Sequence, residues 1–417
     1  MGLLWNKIKA SPSKWMVFAD QGLVSGVNFL MTLLLARFLG LENFGLFALG
    51  WMLVLFFSSV QMAFIISPLY TLFPKHKNKK QYLASVHTIQ LIYSSISGIF
   101  AFGVVKVAMF LQPDWMVPGI SFSLPLVVMF FGWQDFYRRL NIALELPKQT
   151  LKSDLISYGL QPLLLLGLVY LNQLSIHRMF VGLMFLFVGA IIWGIKKHEL
   201  NFNYRTLTTI LFENWQFSKY LVGTSLLQWV SGNFFILAAG SILSPVAIGV
   251  IRIAQNVVGI LNVLFAALEN IVPLKGAQLL SQSGVNTAIH YFKMILIYGG
   301  GVTAAILATI ALGREYIIEW FYGIQYLEYS NIFLGFTFIY VLVFVNTILG
   351  FVIRTFEMNR IFLISYITTS VFSVFAAKPI INQFGVYGVV LGIVGTQIIN
   401  ITVYIISLNS NSIALWK

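Results

Sequence analysis

The chain has 417 residues, 59% of them hydrophobic, 9% charged and none cysteine, with a formal net charge of +13. Globular domains carry roughly a quarter charged residues, and single-domain cores do not grow large enough to bury this much apolar surface, so a soluble multidomain protein is excluded. The missing cysteine excludes disulfides, thiolate metal sites and cysteine nucleophiles, and the basic balance comes without a recognition helix or RNA-binding motif, which argues against nucleic acid as a partner.

In chain order, Lys7, Lys9 and Lys14 precede an apolar run too long for a signal peptide and followed by no Ala-x-Ala site, the pattern of an uncleaved start-transfer segment. Hydropathy over windows of about 19 residues predicts twelve spans near 16–38, 45–67, 83–105, 119–140, 153–171, 178–195, 219–241, 246–271, 289–312, 331–353, 361–381 and 386–408. The first connection, Leu35 to Gly45, reads as a tight polar break bracketed by Gly40 and Gly45. The longest connections, near 196–219 and 313–330, are too short for a soluble domain. Lys75, Lys77, Lys79 and Lys80 fill the second connection, and Arg138, Arg139, Lys148 and Lys152 the fourth. Lys196, Lys197, Arg205 and Lys219 fill the sixth, Lys275 and Lys293 the eighth, and Arg354 and Arg360 the tenth. With the amino-terminal lysines and Lys417, about 20 of the 26 Lys and Arg residues fall on one side, which positive-inside sorting assigns to the cytoplasm. Both termini are expected there.

Three weak matches recur in order. The turn at Ala36–Gly45 returns as Ala239–Gly249, Pro68-Leu69 returns as Pro273-Leu274, and Leu155-Ile156-Ser157-Tyr158 returns as Leu363-Ile364-Ser365-Tyr366, each about 205 residues later. The expectation is therefore an all-α polytopic membrane protein, about 12 transmembrane helices in two parallel six-helix halves, residues 1–200 and 201–417. Transporters built from such repeats place their substrate near the repeat interface.

Neither an enzyme nor a cofactor is expected. His76, His87, His177, His198 and His290 are scattered without metal-binding spacing, and the sequence has no Gly-x-Ser-x-Gly elbow, Walker loop or paired-carboxylate motif. Polar stripes inside the spans carry more information. Asp20, Gln21, Ser25, Asn28 and Thr32 line one face of the first span; Thr224, Gln228 and Ser231 line the seventh. Arg252, Gln255, Asn256, Gly259, Asn262 and Glu269 line the eighth, and Thr396, Gln397 and Asn400 cluster in the twelfth. Polar groups are costly against lipid, so these faces turn into the bundle or a wet cavity, with interhelical hydrogen bonds as the alternative use. Arg252 either lines a cavity or snorkels to the outer interface. Asp20 is either a coupling-ion or proton site or a first-turn carboxylate favoured by the helix dipole. Arg138 and Arg139 follow Asp135 by three and four residues, the spacing of an intrahelical ion pair, and also sit where positive-inside anchors belong. Arginines facing one cavity would suit an anion, since guanidinium forks match phosphate oxygens.

The run Ala36-Arg37-Phe38-Leu39-Gly40-Leu41-Glu42-Asn43-Phe44-Gly45 resembles the "A-R-x-L-G-x-x-x-F-G" hairpin of the Wzx-like oligosaccharide flippases, the lipid-linked O-antigen and polysaccharide branch of the multidrug/oligosaccharidyl-lipid/polysaccharide (MOP) exporter superfamily. Leu243–Gly249 is similar to that family's second copy of the hairpin, and Gly313-Arg314-Glu315 through Trp320-Phe321-Tyr322-Gly323 to its outer turn before the tenth span. The resemblance implies a MOP/MATE-like fold in a bacterial cytoplasmic membrane. It implies flipping of a polyprenyl-diphosphate-linked oligosaccharide by alternating access, membrane lipids as surroundings, and a polysaccharide polymerase or glycosyltransferases as partners. Arg252 is the position that best fits a diphosphate contact, with Asn256, Asn262, Arg138, Arg139 and Asn28 as further substrate candidates and Asp20 as the ion-coupling one. A cation-coupled multidrug exporter of the same superfamily is the nearest alternative, and a polytopic polysaccharide polymerase a more distant one. The major-facilitator signature is missing from the second connection, which reads Phe73-Pro74-Lys75-His76-Lys77-Asn78-Lys79-Lys80.

Overall fold

The computed structural model describes residues 12–115, 117–198, 204–411 and 413; Lys7, Lys9, Met116 and Lys417 lie outside them. The described residues form an all-helical molecule without strands. In order, the helices are α1 (Pro12–Leu39), α2 (Leu41–Gln61), α3 (Ser67–Leu72), α4 (Lys79–Leu111), α5 (Ile120–Ala143), α6 (Pro147–Asp154), α7 (Gln161–Tyr170), α8 (Ile176–His198) and α9 (Leu207–Ile242). They continue as α10 (Pro245–Val258), α11 (Leu261–Ser283), α12 (Val285–Leu312), α13 (Arg314–Phe321), α14 (Ser330–Thr355), α15 (Arg360–Phe384) and α16 (Val386–Ser410). Single π-helical turns, Met62–Ile66 and Leu155–Gly159, join α2 to α3 and α6 to α7.

Among the described residues, eleven helical segments are long and apolar enough to cross a membrane. The remaining expected span, the fourth, is the 24-residue α5, whose residues 134–143 include Gln134, Asp135, Arg138, Arg139 and Asn141. Side chains such as Ile99, Phe110, Leu163, Phe185 and Phe375 stand exposed along these helices. That pattern suits a lipid solvent and no aqueous one. The chain is a multi-pass membrane protein.

The polar break between the first two spans is tighter than its composition suggests. Gly40 alone makes the reversal, at φ 78°, a conformation that strains any residue with a Cβ. Helix α2 resumes at Leu41 with Glu42 in its first turn, and Gly45 lies buried inside it. In the later turn that the sequence pairs with it, the helix restarts at Pro245, whose missing N–H costs nothing at a first helical position.

The chain divides into two compact units, Met1–Leu226 and Leu227–Lys417, the division falling within α9. The core of the first is built from Ile65, Leu69, Phe73, Tyr82, Val86, Trp133, Phe136, Tyr137 and Leu140. Gln61 Nε2 donates to the Gly132 carbonyl at 2.8 Å, possible because position 132 has no side chain in the way. The second unit packs Phe292, Phe333, Phe336, Ile348, Val352, Val389 and Leu408 beneath a polar seam. There Ser231 donates to Thr369 at 2.7 Å, Asn346 Nδ2 to Gln397 Oε1 at 2.5 Å, and Ser365 bonds Asn400. These polar residues of the seventh and twelfth spans therefore serve interhelical bonding.

Helices α15 and α16 meet across Gly388, where a Cβ would lie 2.5 Å from the carbonyl oxygen of Ile380. Backbone cannot yield as a side chain can, so Gly388→Ala should force the pair apart at about 1–3 kcal/mol. Gly167→Ala in α7 meets nothing within 4 Å and is its control. Thermal midpoints in detergent should fall for the first and hold for the second; equal midpoints would refute the close packing.

Candidate functional site

Two groups of charge stand out, one in each unit. In the first unit, Asp20 extends from α1, Arg138 from the last turns of α5 and Asp154 from the end of α6. Arg138 Nε donates to Asp154 Oδ2 at 2.5 Å, and its Nη2 donates to Asp20 Oδ2 at 3.1 Å. All three residues are buried, at 4%, 5% and 0% exposure for Asp20, Arg138 and Asp154. Gln134, one turn before Arg138, donates Nε2 to Asp154 Oδ1 at 3.4 Å and to Ser157 Oγ at 3.0 Å. Asp20 Oδ1 is buried and accepts no hydrogen bond.

Local sequence explains how Asp154 reaches this place. Pro147 opens α6, and Pro162 at the start of α7 has no N–H to continue an α-helical ladder. The intervening π turn, Leu155–Gly159, absorbs the extra residue. Gln161 Nε2 bonds the Ser157 carbonyl at 2.7 Å, so the widened turn keeps its polar groups satisfied. The turn ties Asp154, Ser157 and Gln161 into one inward-facing polar strip.

Asp135 and Arg139 form a separate pair at 3.3 Å, four residues apart on α5. The expected Asp135 partnership thus goes to Arg139, while Arg138 turns inward to carboxylates of other helices. The first unit's interior consequently holds three carboxylates and two guanidinia, a surplus of negative charge.

In the second unit the sign is reversed. Arg252 sits half-buried on α10, its Nη1 donating to Gln255 Oε1 at 2.8 Å and its Nη2 to Asn233 Oδ1 at 3.3 Å. Both acceptors are neutral amides, and among the described residues no carboxylate lies within ion-pair distance of Arg252; the unit's ion pairs are Arg314 with Glu315 and Arg354 with Glu269. Asn256 Nδ2 donates to Tyr322 Oη at 3.0 Å. Burial pushes the Tyr322 hydroxyl up to about 12 against the opposing effect of that bond, so it stays a neutral hydrogen-bonding group.

The eighth span is not one straight helix. It kinks at Gly259 and Ile260, where Asn262 N–H bonds the Gly259 carbonyl at 2.9 Å in a tighter, three-residue turn. A Cβ at 259 would come within 2.7 Å of the Gln255 carbonyl oxygen. The single polar face expected from Arg252 to Glu269 is therefore split. Asn262 bonds Tyr340 Oη at 3.4 Å and Glu269 pairs with Arg354 at 2.6 Å. Asn28 on α1 is exposed, its backbone carbonyl taking the Thr32 hydroxyl at 2.9 Å.

Asp154 and Gln134 are the participants that the sequence reading passed over. Asp154 follows Lys148 and Lys152 at the mouth of an apolar run, where a charge looks like an ordinary boundary residue. The available signal is its spacing with Ser157, Tyr158 and Gln161, which continues a polar face into the span. Among the described residues, no group of three or more His, Asp or Glu side chains is placed to hold a metal ion.

The sequence matches no protein-family model and no curated protein. Solved structures share the fold. The lipid II flippase MurJ in an inward closed conformation superposes with a TM-score of 0.69 at 14% identity, over 95% of this chain and 87% of that one. An inward-facing multidrug resistance MATE family transporter of the MOP superfamily gives a TM-score of 0.68 at 13% identity, over 98% and 96%. A MOP superfamily transporter from Pyrococcus furiosus gives 0.65 at 12% identity, again over 98% and 96%. At these identities the likeness is one of fold, and the fold is MOP/MATE-like.

Proposed function

We propose that this protein flips a polyprenyl-diphosphate-linked oligosaccharide across a bacterial cytoplasmic membrane by alternating access, for the synthesis of a surface polysaccharide such as O-antigen. The observation that carries this reading is Arg252. A guanidinium placed among membrane-spanning helices and bonded only to neutral amides is a standing demand for an anion, and a diphosphate meets its forked geometry. The fold shared with a lipid II flippase supports a lipid-linked substrate, as does the hairpin motif at Ala36–Gly45. Asn256, Asn262 and Asn28 would offer neutral amides to the hydrated glycan. Arg138 and Arg139 are already matched by carboxylates, which leaves the anion to Arg252. Both termini are taken as cytoplasmic and residues 1–200 and 201–417 as the parallel repeats, with a polymerase or glycosyltransferases as partners in the same pathway.

One observation favours a second reading. The carboxylate surplus of the first unit would suit a cationic drug, as in a cation-coupled multidrug exporter.

A strain lacking the protein separates the two. Its polyprenyl-diphosphate lipids would be extracted, and an impermeant probe on intact spheroplasts would report which leaflet holds the glycan. Completed repeat units trapped on the cytoplasmic side, with surface polysaccharide lost, are expected. Normal appearance in the outer leaflet together with drug hypersensitivity would replace the flippase reading with the exporter one.

A further inference from the structure

We propose that α13 is an in-plane membrane anchor, a short amphipathic helix whose Tyr316 and Trp320 bed into the interfacial layer of the bilayer. The inference concerns contact with lipid and holds whichever substrate the protein moves. Helix α12 and the segment Ile324–Thr355 are each long and apolar enough to cross a membrane, so the chain between Leu312 and Ile324 joins two crossing ends. Gly313 interrupts the first helix: its N–H closes the last turn on the Thr309 carbonyl at 3.0 Å, and its own carbonyl opens α13 by accepting from Ile317 at 2.9 Å. At the other end Gly323, at φ 109°, stops α13 in a conformation that strains any residue with a Cβ. Eight residues span only about 12 Å, so both ends hold α13 close to the membrane boundary.

Four sides of this helix are chemically distinct. At about 100° per residue, Tyr316 and Trp320 lie about 160° around from Ile318 and Tyr322. Ile318 and Tyr322 are fully buried in the second unit, whereas Tyr316 is 80% and Trp320 78% exposed. Glu315 and Glu319, both exposed, lie about 160° around from the half-buried Ile317 and Phe321. A helix lying at the rim of a membrane protein needs this arrangement: one side against the protein, one toward water, one toward hydrocarbon and one outward along the interface. The outward side carries the two residue types whose apolar ring and polar tip suit the headgroup level. Arg314 pairs with Glu315 at 3.1 Å, which tempers repulsion between the carboxylate side and anionic headgroups.

The occupant is lipid because the surface continues one that lipid already covers. Leu312, the last residue of α12, is 84% exposed and Val302 on the same helix 54%; Ile324, just beyond Gly323, is 71% exposed. Tyr316 and Trp320 stand between them in the chain. On its inner side the anchor carries Tyr322, whose hydroxyl accepts from Asn256 Nδ2 at 3.0 Å. Asn256 lies one turn beyond Arg252 on α10, so contact with the bilayer fixes a partner of that group.

The chain has no cysteine, so a single introduced thiol reports one position. Tyr316→Cys, Trp320→Cys, Glu319→Cys and Val302→Cys, each in the full-length protein, would carry a nitroxide in nanodiscs of phosphatidylethanolamine and phosphatidylglycerol. All four positions are exposed, so the fold should tolerate each change. Power saturation then compares collision with oxygen, which concentrates in lipid, and with a nickel chelate, which stays in water. Labels at 316 and 320 should lie about 5–10 Å into the headgroup and acyl boundary, shallower than 302, with an oxygen-to-nickel ratio several-fold above that at 319. Labels at 316 and 320 as open to nickel as the one at 319 would show a water-facing loop. Labels shielded from both reagents would show a second copy or another protein on this face. Either result overturns the anchor, and neither touches the flippase reading, which rests on Arg252.

Discussion

Replacing Arg138 with Met should be among the most damaging single changes in the first unit, and removing its two partners as well should undo most of the damage. Arg138→Met leaves Asp20 and Asp154 buried together without the cation that joins them. Breaking one partner out of a buried ion network costs about 3–5 kcal/mol, because the charge left behind is uncompensated. Substituting the whole network by neutral groups of similar size is close to neutral in cases that have been measured. The triple variant Asp20→Asn, Arg138→Met, Asp154→Asn should therefore recover a thermal midpoint near that of the wild type, while Arg138→Met alone yields little folded protein in the membrane. Thermal scans of detergent extracts, read by size-exclusion fluorescence, make the comparison. A single variant as stable as the wild type would mean that water or headgroups reach the triad, contrary to its burial.

That prediction also marks where reading the sequence stopped. Hydropathy located the spans because a membrane imposes a length and a composition on every crossing segment, whatever it packs against. Gly40 was legible for the same local reason: a reversal between two long helices needs a residue free of Cβ. What local pattern cannot supply is a partner. Arg138 and Asp20 are 118 residues apart, and along α5 the visible carboxylate is Asp135. Spacing alone allows Asp135 to serve either arginine, and only the packing of α1 and α6 against α5 turns Arg138 from boundary anchor into the centre of a triad. Asp154 was hidden by its neighbours, since a carboxylate after two lysines at the edge of an apolar run has the look of solvent. The kink at Gly259 was hidden differently. A glycine inside an apolar helix is common, and the periodicity of Arg252 to Glu269 continues across it as if the helix were straight.

Arg252→Ala should abolish transport while leaving the protein folded and in the membrane. The stability cost is small because the guanidinium makes no ion pair. Its loss strands two neutral acceptors, Gln255 Oε1 and Asn233 Oδ1, at about 1–3 kcal/mol, and both lie on helix faces that are only half-buried. The functional cost is larger, since truncating one side of a desolvated charge contact removes about 2–5 kcal/mol of binding, or roughly 30-fold and upward in affinity. Arg252→Lys keeps the charge and loses the planar fork that grips two phosphate oxygens at once, so it should fall between wild type and Ala. Surface polysaccharide, quantified beside the amount of each variant in the membrane, gives the ordering. Equal export from all three would strike Arg252 from the site. Export lost in the Ala variant and retained in a Gln255→Ala variant of equal abundance would separate an anion contact from a merely structural amide cluster, because removing either member dismantles the cluster but only one removes the charge.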